Sequence, residues 1–386
     1  MSKEIQPKSN EKLDKYKQYM ERVGKEKIPC YEPLLGKEEI ENLTSVIESG
    51  WLSEGRFTRL FEDELSTLCS RKYALSFSNA TAAMIVGMKS LGIGKGDEVI
   101  VPAFSHPADP NAISQTGAKP IFADVNEDTF CLDVSNIKSL ITKNTKAILY
   151  ISVYGNVGNI DEVCKFAKDN KLFLINDCAP ALGGKYKNKS IASFGDFSVL
   201  SFFADKTITT GEGGMLLTDN PKIIEESNIY KHDGRRERGH DLIERLGYNF
   251  RVTEMQSAIG CAQLKKLNKF IRRKLEIYDK YKNNLFFNDK VNLFVFNNDG
   301  QINPHRMIIM VEDSNKLISY LSSEGIGVRT LFVPMHSQPI YNQKGFFPVS
   351  DKLYKRGVCL PSAPSLSDGD VDFICNKINE FYRVAK

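Results

Sequence analysis

The sequence predicts an α/β fold: a large, mostly parallel sheet covered on both faces, followed by a smaller α+β unit. Two observations carry this. Short β-branched runs, "DEVIVP", "AKPIFADV", "TKAILYISVYG" and "KLFLINDCA", alternate with helical stretches such as "ATAAMIVGMKSLGIG" and "NIDEVCKFAKDN". Near-continuous apolar strands separated by helices are the mark of a sheet buried on both sides. After "GGMLLTDN" the alternation stops, and a long helical run, "TEMQSAIGCAQLKKLNKFIRRKLEIYDKYKNNL", leads into a second pattern.

Taken in chain order, residues 1–27 read as a polar arm, because charge dominates and little can be buried. Residues 28–265 are assigned to the large α/β domain, starting near "IPCYEP", and 266–386 to the linking helix and small C-terminal domain. In the latter, "HRMIIMV" predicts a strand and "SNKLISYLSSEG" a helix stopped by Gly325. The terminal helix "DGDVDFICNKINEFY" places Val371, Ile374, Ile378 and Phe381 on one face, which is core rather than chemistry. At 386 residues the chain is too long for one ordinary core, so two domains are expected.

Composition narrows the function. No apolar run approaches bilayer length, and the lysine-rich N-terminus lacks the pattern of an export signal, so a cytoplasmic protein away from the membrane is expected. The 52 basic against 48 acidic residues leave only +4, which gives no general footprint for nucleic acid. Eight cysteines stand singly, without CxxC pairs or zinc spacing, and read as reduced thiols; no metal site is expected.

The stretch "SFFADKTITTGEGG" sets Lys206 between aromatic residues and a glycine-rich turn. Three readings compete: a lysine with its stem packed and head in water, a phosphate-gripping lysine, and a lysine bonded to a cofactor. A P-loop needs its lysine after the glycines and at a helix start, whereas Lys206 precedes Gly211, Gly213 and Gly214 and a strand follows. Four further segments bear on the choice. Asp177 closes the strand "KLFLI", where α/β folds place ligands, although aspartate is also common there as a cap. "SFSNATAAM" sets Ser78, Asn79, Ala80 and Thr81 before a helix, either as an ordinary N-cap or as a phosphate site. Ser201 can bind the same phosphate, and His106 in "VPAFSHPADP" can lie flat on a planar ligand or serve structure alone. Together a lysine amine, an aspartate and a helix N-terminus meet the needs of pyridoxal 5'-phosphate: an aldehyde, a pyridine nitrogen and a phosphate.

From about residue 28 onward the chain resembles the DegT/DnrJ/EryC1/StrS family of sugar-nucleotide aminotransferases, in the fold-type-I (aspartate aminotransferase-like) superfamily. The segments that carry it are "GWLSEGRFTRLFEDEL", "GDEVIVPAFS", "NDCAPALGGKYKNKSIASFGDFSVLSFFADKTITTGEGGM", "GYNFRVTEMQSAIGCAQL", "VPMHSQPIY" and "LPSAPSLS". The resemblance implies that Lys206 bonds the cofactor and that Asp177 partners the pyridine nitrogen. It assigns the phosphate to Ala80, Thr81 and Ser201, with Asn249 reaching it from a second subunit, and so implies a homodimer with shared sites. His106 falls where the family usually stacks an aromatic ring. Pro180 stands where many relatives carry Gln or His near the cofactor hydroxyl, and proline cannot donate that bond.

The implied reaction moves an amino group from glutamate to a nucleotide-linked keto-deoxysugar. "FFADKTITTGEGGM" with "LPSAPSLS" is most similar to family members acting on GDP-4-keto-6-deoxymannose; UDP- or dTDP-linked 3- or 4-keto sugars are the alternative. Arg329 and His336 match positions near the sugar. Arg235, with Arg236 and Arg238 in "KHDGRRERGH", reads as a solvated charge run or as a grip on the diphosphate. Two further readings rank below these: a sugar dehydratase, against which Lys206 argues because related dehydratases carry histidine there, and a non-catalytic cofactor-binding regulator, for whose DNA-binding domain the short, mixed-charge arm is a poor candidate.

Overall fold

The computed structural model describes residues 26–237, 239, 241–297 and 300–384. The predicted arm 1–27 lies outside the described residues except for its last two, as does Arg238. The large sheet contains β1 (Tyr73–Phe77), β2 (Glu98–Pro102), β3 (Lys119–Ala123), β4 (Thr145–Ile151) and β5 (Phe173–Asp177). A small hairpin, β6 (Lys185–Tyr186) and β7 (Lys189–Ser190), precedes its last members, β8 (Phe197–Ser201) and β9 (Gly214–Thr218). The strand order is β1-β9-β8-β5-β4-β2-β3. From β3 to β8 every neighbouring pair is parallel, whereas β9 runs antiparallel to both β8 and β1.

All four strands predicted from apolar runs are present, and each is buried along nearly its whole length. The helices Ala80–Ser90 and Ile160–Asp169 form where the alternation places them. The first of these is apolar nearly all round and buries every residue from Ala82 to Met88. It belongs to the interior of the molecule.

The second sheet is antiparallel, in the order β10 (Val291–Leu293), β11 (Met307–Val311), β13 (Gly357–Leu360), β12 (Arg329–Thr330). Helix Ser314–Ser323 ends just before Gly325, whose φ of +80° suits a residue without Cβ. Terminal helix Asp368–Val384 buries Val371, Ile374 and Ile378, with Phe381 packed at the edge of the core. The chain near its described start pairs here: Ile28 N–H donates to Gly325 O at 3.1 Å and Gly327 N–H to Ile28 O at 2.8 Å.

One helix, Glu254–Asn284, joins the two sheets. Its 31 residues at about 1.5 Å each span roughly 46 Å. Thr253 and Gln256 close a capping box at its start. Glu254 is buried there and caps a different helix, Arg56–Leu68, accepting the amides of Gly55 at 2.7 Å and Phe57 at 2.6 Å. In its C-terminal half Lys274 donates to Ser362 O at 2.9 Å, and the hydroxyls of Tyr278 and Tyr281 donate to Phe294 O and Pro361 O. The helix is thus pinned to the elements that flank both sheets.

Candidate active site

The C-terminal ends of the parallel strands lie along one edge of the large sheet, and the predicted site residues sit on it. β8 ends at Ser201 and leads into the loop that carries Lys206. The threonines after Lys206 close that loop. Thr209 Oγ1 donates to Phe202 O at 2.9 Å and accepts the Gly211 amide at 2.8 Å, while Thr210 Oγ1 donates to Glu212 O at 2.6 Å. Phe202 N–H reaches Gly213 O at 2.9 Å, so both ends of the loop are tied at its base. Lys206 is held at the loop's far end with 19 % of its side chain exposed, its ammonium 3.7 Å from Asp205 Oδ1.

Asp177 ends β5, next to β8 in the sheet, and is 4 % exposed. Its Oδ1 accepts the Ala179 amide at 2.8 Å. Burial raises its pKa above the ordinary carboxylate range; that amide, the adjacent Asp109 carboxyl and the Lys206 ammonium act in the opposite sense. His106 lies beyond the end of β2, exposed, with its Nδ1 accepting the Ala108 amide at 3.2 Å. Its ring meets Phe332 edge-on at 5.9 Å between centroids. Its pKa is lowered by partial removal from water and by the Lys206 ammonium, with Asp177 and Asp205 acting in the opposite sense.

A phosphate cradle follows from strand register. Phe77, Gly214 and Ser201 are aligned across β1, β9 and β8. Any Cβ on Gly214 would stand 2.4 Å from Asn79 C and 2.5 Å from Ala80 N. Only glycine lets the start of helix Ala80–Ser90 settle so close to the strand that ends beside Ser201. Asn79 itself caps that helix through the Ala82 amide at 2.8 Å, as in the simple N-cap reading. The Ala80 and Thr81 amides, the next donors of the same positive helix end, find no protein acceptor among the described residues.

Several residues of the site escape a reading of the sequence. Asp205 is paired with Arg306, and burial, which opposes ionisation, is overcome by Lys206, Arg306 and Arg329, so its carboxyl lies below the usual range. The guanidinium groups of Arg306 and Arg329 stand 5.3 Å and 4.6 Å from the centre of the Tyr31 ring. Lys274 is fully enclosed nearby; burial, with help from Arg306, brings it down to about 7. Tyr31, Lys274 and Arg306 line a small cavity together with Asp205 and Lys206. "ADK" shows Asp205 beside Lys206, but nothing in the spacing of Tyr31, Lys274 and Arg306 announces that they meet.

The remaining predicted residues are separate from this cluster within one chain. Asn249 is exposed in a bridge to His232, and no hydrogen bond of its side chain is formed among the described residues. The next residue, Phe250, accepts the Ser78 amide at 2.9 Å, so this segment runs beside the loop that opens the cradle. Arg235 lines another cavity, of about 470 Å³, with Arg59, Arg236 and Arg251 and with Glu54 and Lys231 at its base. His336 is stacked on Phe347 at 4.1 Å and lies 3.5 Å from Asp351. Of the predicted sugar contacts only Arg329 adjoins Lys206's surroundings.

The residues on the sheet edge fit pyridoxal 5'-phosphate. The gap kept open at Gly214 and the unpartnered amides suit its phosphate, Asp177 suits a protonated ring nitrogen, and Lys206 suits its aldehyde. Comparison with known proteins agrees. The model of the DegT/DnrJ/EryC1/StrS aminotransferase family matches residues 33–379. The GDP-perosamine synthase of Escherichia coli O157:H7 is 40% identical over 364 residues, 92% of this chain and 98% of that protein. The GDP-perosamine synthase of Vibrio cholerae is 36% identical over 92% of this chain and 99% of its own length. Among solved structures, the PLP form of the putative sugar aminotransferase Spr1654 of Streptococcus pneumoniae superposes with a TM-score of 0.88 at 26% identity, covering 93% of this chain and 99% of that one. With its family model matched over residues 33–379 and a relative 40% identical over nearly its whole length, the chain belongs to the DegT/DnrJ/EryC1/StrS aminotransferase family.

Proposed function

We propose that this chain is a pyridoxal-phosphate-dependent sugar-nucleotide aminotransferase of the perosamine synthase type, moving an amino group from glutamate to C4 of GDP-4-keto-6-deoxymannose. The observation that carries it is the gathering of Lys206, Asp177 and the cradle at Gly214 on one sheet edge; the two full-length synthase relatives support the choice of substrate. The bound cofactor supplies an electron sink for the carbon that loses or gains a proton.

The chain's own residues do the rest. Lys206 would hold the cofactor by its aldehyde, and its Nζ, when free, would be the base that takes and returns the substrate proton. Asp177 keeps the ring nitrogen protonated, because a negative charge beside it favours the cation. Ala80, Thr81 and Ser201 hold the phosphate, and His106 lies against the ring, with less apolar area than a phenylalanine offers. Asn249 reaches the phosphate of a partner subunit in a homodimer. Arg235 serves the diphosphate, and Arg329 and His336 the sugar. No described helix is long and apolar enough to cross a membrane.

The test is a panel. Purified protein with pyridoxal 5'-phosphate and glutamate is incubated with GDP-, UDP- and dTDP-linked 3- and 4-keto sugars, and amino products are detected by mass. Turnover of the GDP-linked 4-keto sugar above all others is expected. Preference for a UDP- or dTDP-linked sugar overturns the substrate assignment, and absence of turnover with every sugar and amino donor overturns the enzymatic one.

A further inference from the structure

Beside Asp177 stands a second carboxyl that the reaction as described does not use. Asp109 lies in the first turn of helix Ala108–Thr116 and is 0 % exposed. Neither of its oxygens receives a hydrogen bond. The groups that face it are the Asp177 carboxyl, within hydrogen-bonding reach, the Lys206 ammonium and the backbone of His106. Two carboxylates in contact cannot both stay ionised in a buried space, so the pair keeps one proton.

The surroundings decide which member holds it. Asp177 has the Ala179 amide on Oδ1 and retains some exposure. Asp109 has no donor in ordinary hydrogen-bond geometry, with only the His106 backbone facing it, and no access to water. The positive end of its helix favours a negative charge there, but that is a smaller effect than stripping a carboxylate of all hydrogen bonds. Burial and the adjacent Asp177 both push the Asp109 carboxyl far above the ordinary range.

We infer that Asp109 is kept as a neutral carboxylic acid that donates a hydrogen bond to Asp177, and so acts as a positioning residue for the carboxylate that faces the cofactor's ring nitrogen. The inference rests on the reading of Asp177 given above. With one proton on the pair, its net charge is a single negative, which matches a single ring cation. The Ala179 amide and the Asp109 hydroxyl together fix the carboxylate's rotation. A buried acid that would otherwise be drawn toward its neutral form thereby remains an anion.

Asp109→Asn keeps a neutral donor of the same shape, and Asp109→Leu removes it. Two readouts apply: the dissociation constant of pyridoxal 5'-phosphate from each apoprotein, and the carboxylic-acid C=O stretch in the infrared difference between wild type and Asp109→Asn at pH 8. Expected are an acid band that is lost in Asp109→Asn, cofactor affinity within about threefold of wild type in that variant, and a loss of roughly tenfold or more in Asp109→Leu. Absence of the acid band, or an Asn variant as impaired as Leu, overturns the inference. If Asp109→Leu does not fold, the band and the Asn variant still decide. Asp177→Asn, measured alongside, separates the two readings: unchanged cofactor affinity and visible spectrum there overturn the role of Asp177 at the ring, whereas the acid band reports the proton of the carboxyl pair and the contrast between the Asn and Leu variants reports the donor at Asp109.

Discussion

Lys206 is kept out of the core and out of bulk water by a loop that is tied shut at its base, and this explains the threonines and glycines around it. Its ammonium adjoins one carboxylate, Asp205, which is shared with Arg306. Lys206→Ala is expected to bind pyridoxal 5'-phosphate through the phosphate and ring contacts, yet to lose turnover by on the order of 10³-fold or more. Borohydride reduction of the wild type, followed by peptide mass analysis, should place the cofactor on the peptide containing Lys206; trapping on another lysine refutes the assignment. At this scale the sequence was informative where chemistry is local, since "ADKTITTGEGG" and "INDCA" each expose their residue at a strand end. It was silent where chemistry is built by contact across the chain. Asp109 and Asp177 are 68 positions apart, Tyr31 and Arg306 further still, and no periodicity relates them. Asp109 in "SHPADPNAI" looks like an ordinary helix-start aspartate until its burial is known.

For the strands and helices, position was legible from apolar alternation, because a strand buried on both faces cannot hide its composition. Register was not. The alignment of Phe77, Gly214 and Ser201 depends on β9 turning back between β8 and β1, and a single strand carries no mark of its partners' direction. That alignment makes Gly214 the position where the cradle is most easily broken. Its Cβ would overlap backbone rather than a flexible side chain, so neither neighbour can yield without moving the helix start. Gly214→Ala is expected to cost about 1–3 kcal/mol in stability, read from a denaturant titration of the apoprotein. It should also weaken cofactor binding by roughly tenfold, because the displaced Ala80 and Thr81 amides no longer converge. Wild-type affinity in a folded variant contradicts the phosphate assignment.

At the scale of the whole molecule, Asn249 is exposed and its side chain makes no hydrogen bond among the described residues, which is the state expected of a residue that serves a second copy. Mixing Lys206→Ala subunits with Asn249→Ala subunits tests this. If the site is shared, one site of the heterodimer carries both lesions and the other carries none. Activity should then exceed that of either parent at cofactor concentrations low enough for the phosphate contact to limit occupancy. Confirmed heterodimers with no gain over an impaired Asn249→Ala parent rule out sharing. The long helix Glu254–Asn284 has a different consequence. Its first residue secures helix Arg56–Leu68, and Lys274, Tyr278 and Tyr281 secure the strands and turns of the smaller sheet. A rod fastened at both ends ties the two sheets to one element, so a hinge between them has to bend or unpin this helix. Releasing one sheet while the other stays folded tears the rod from buried hydrogen bonds, so a single calorimetric transition is expected, and two resolved transitions contradict this coupling.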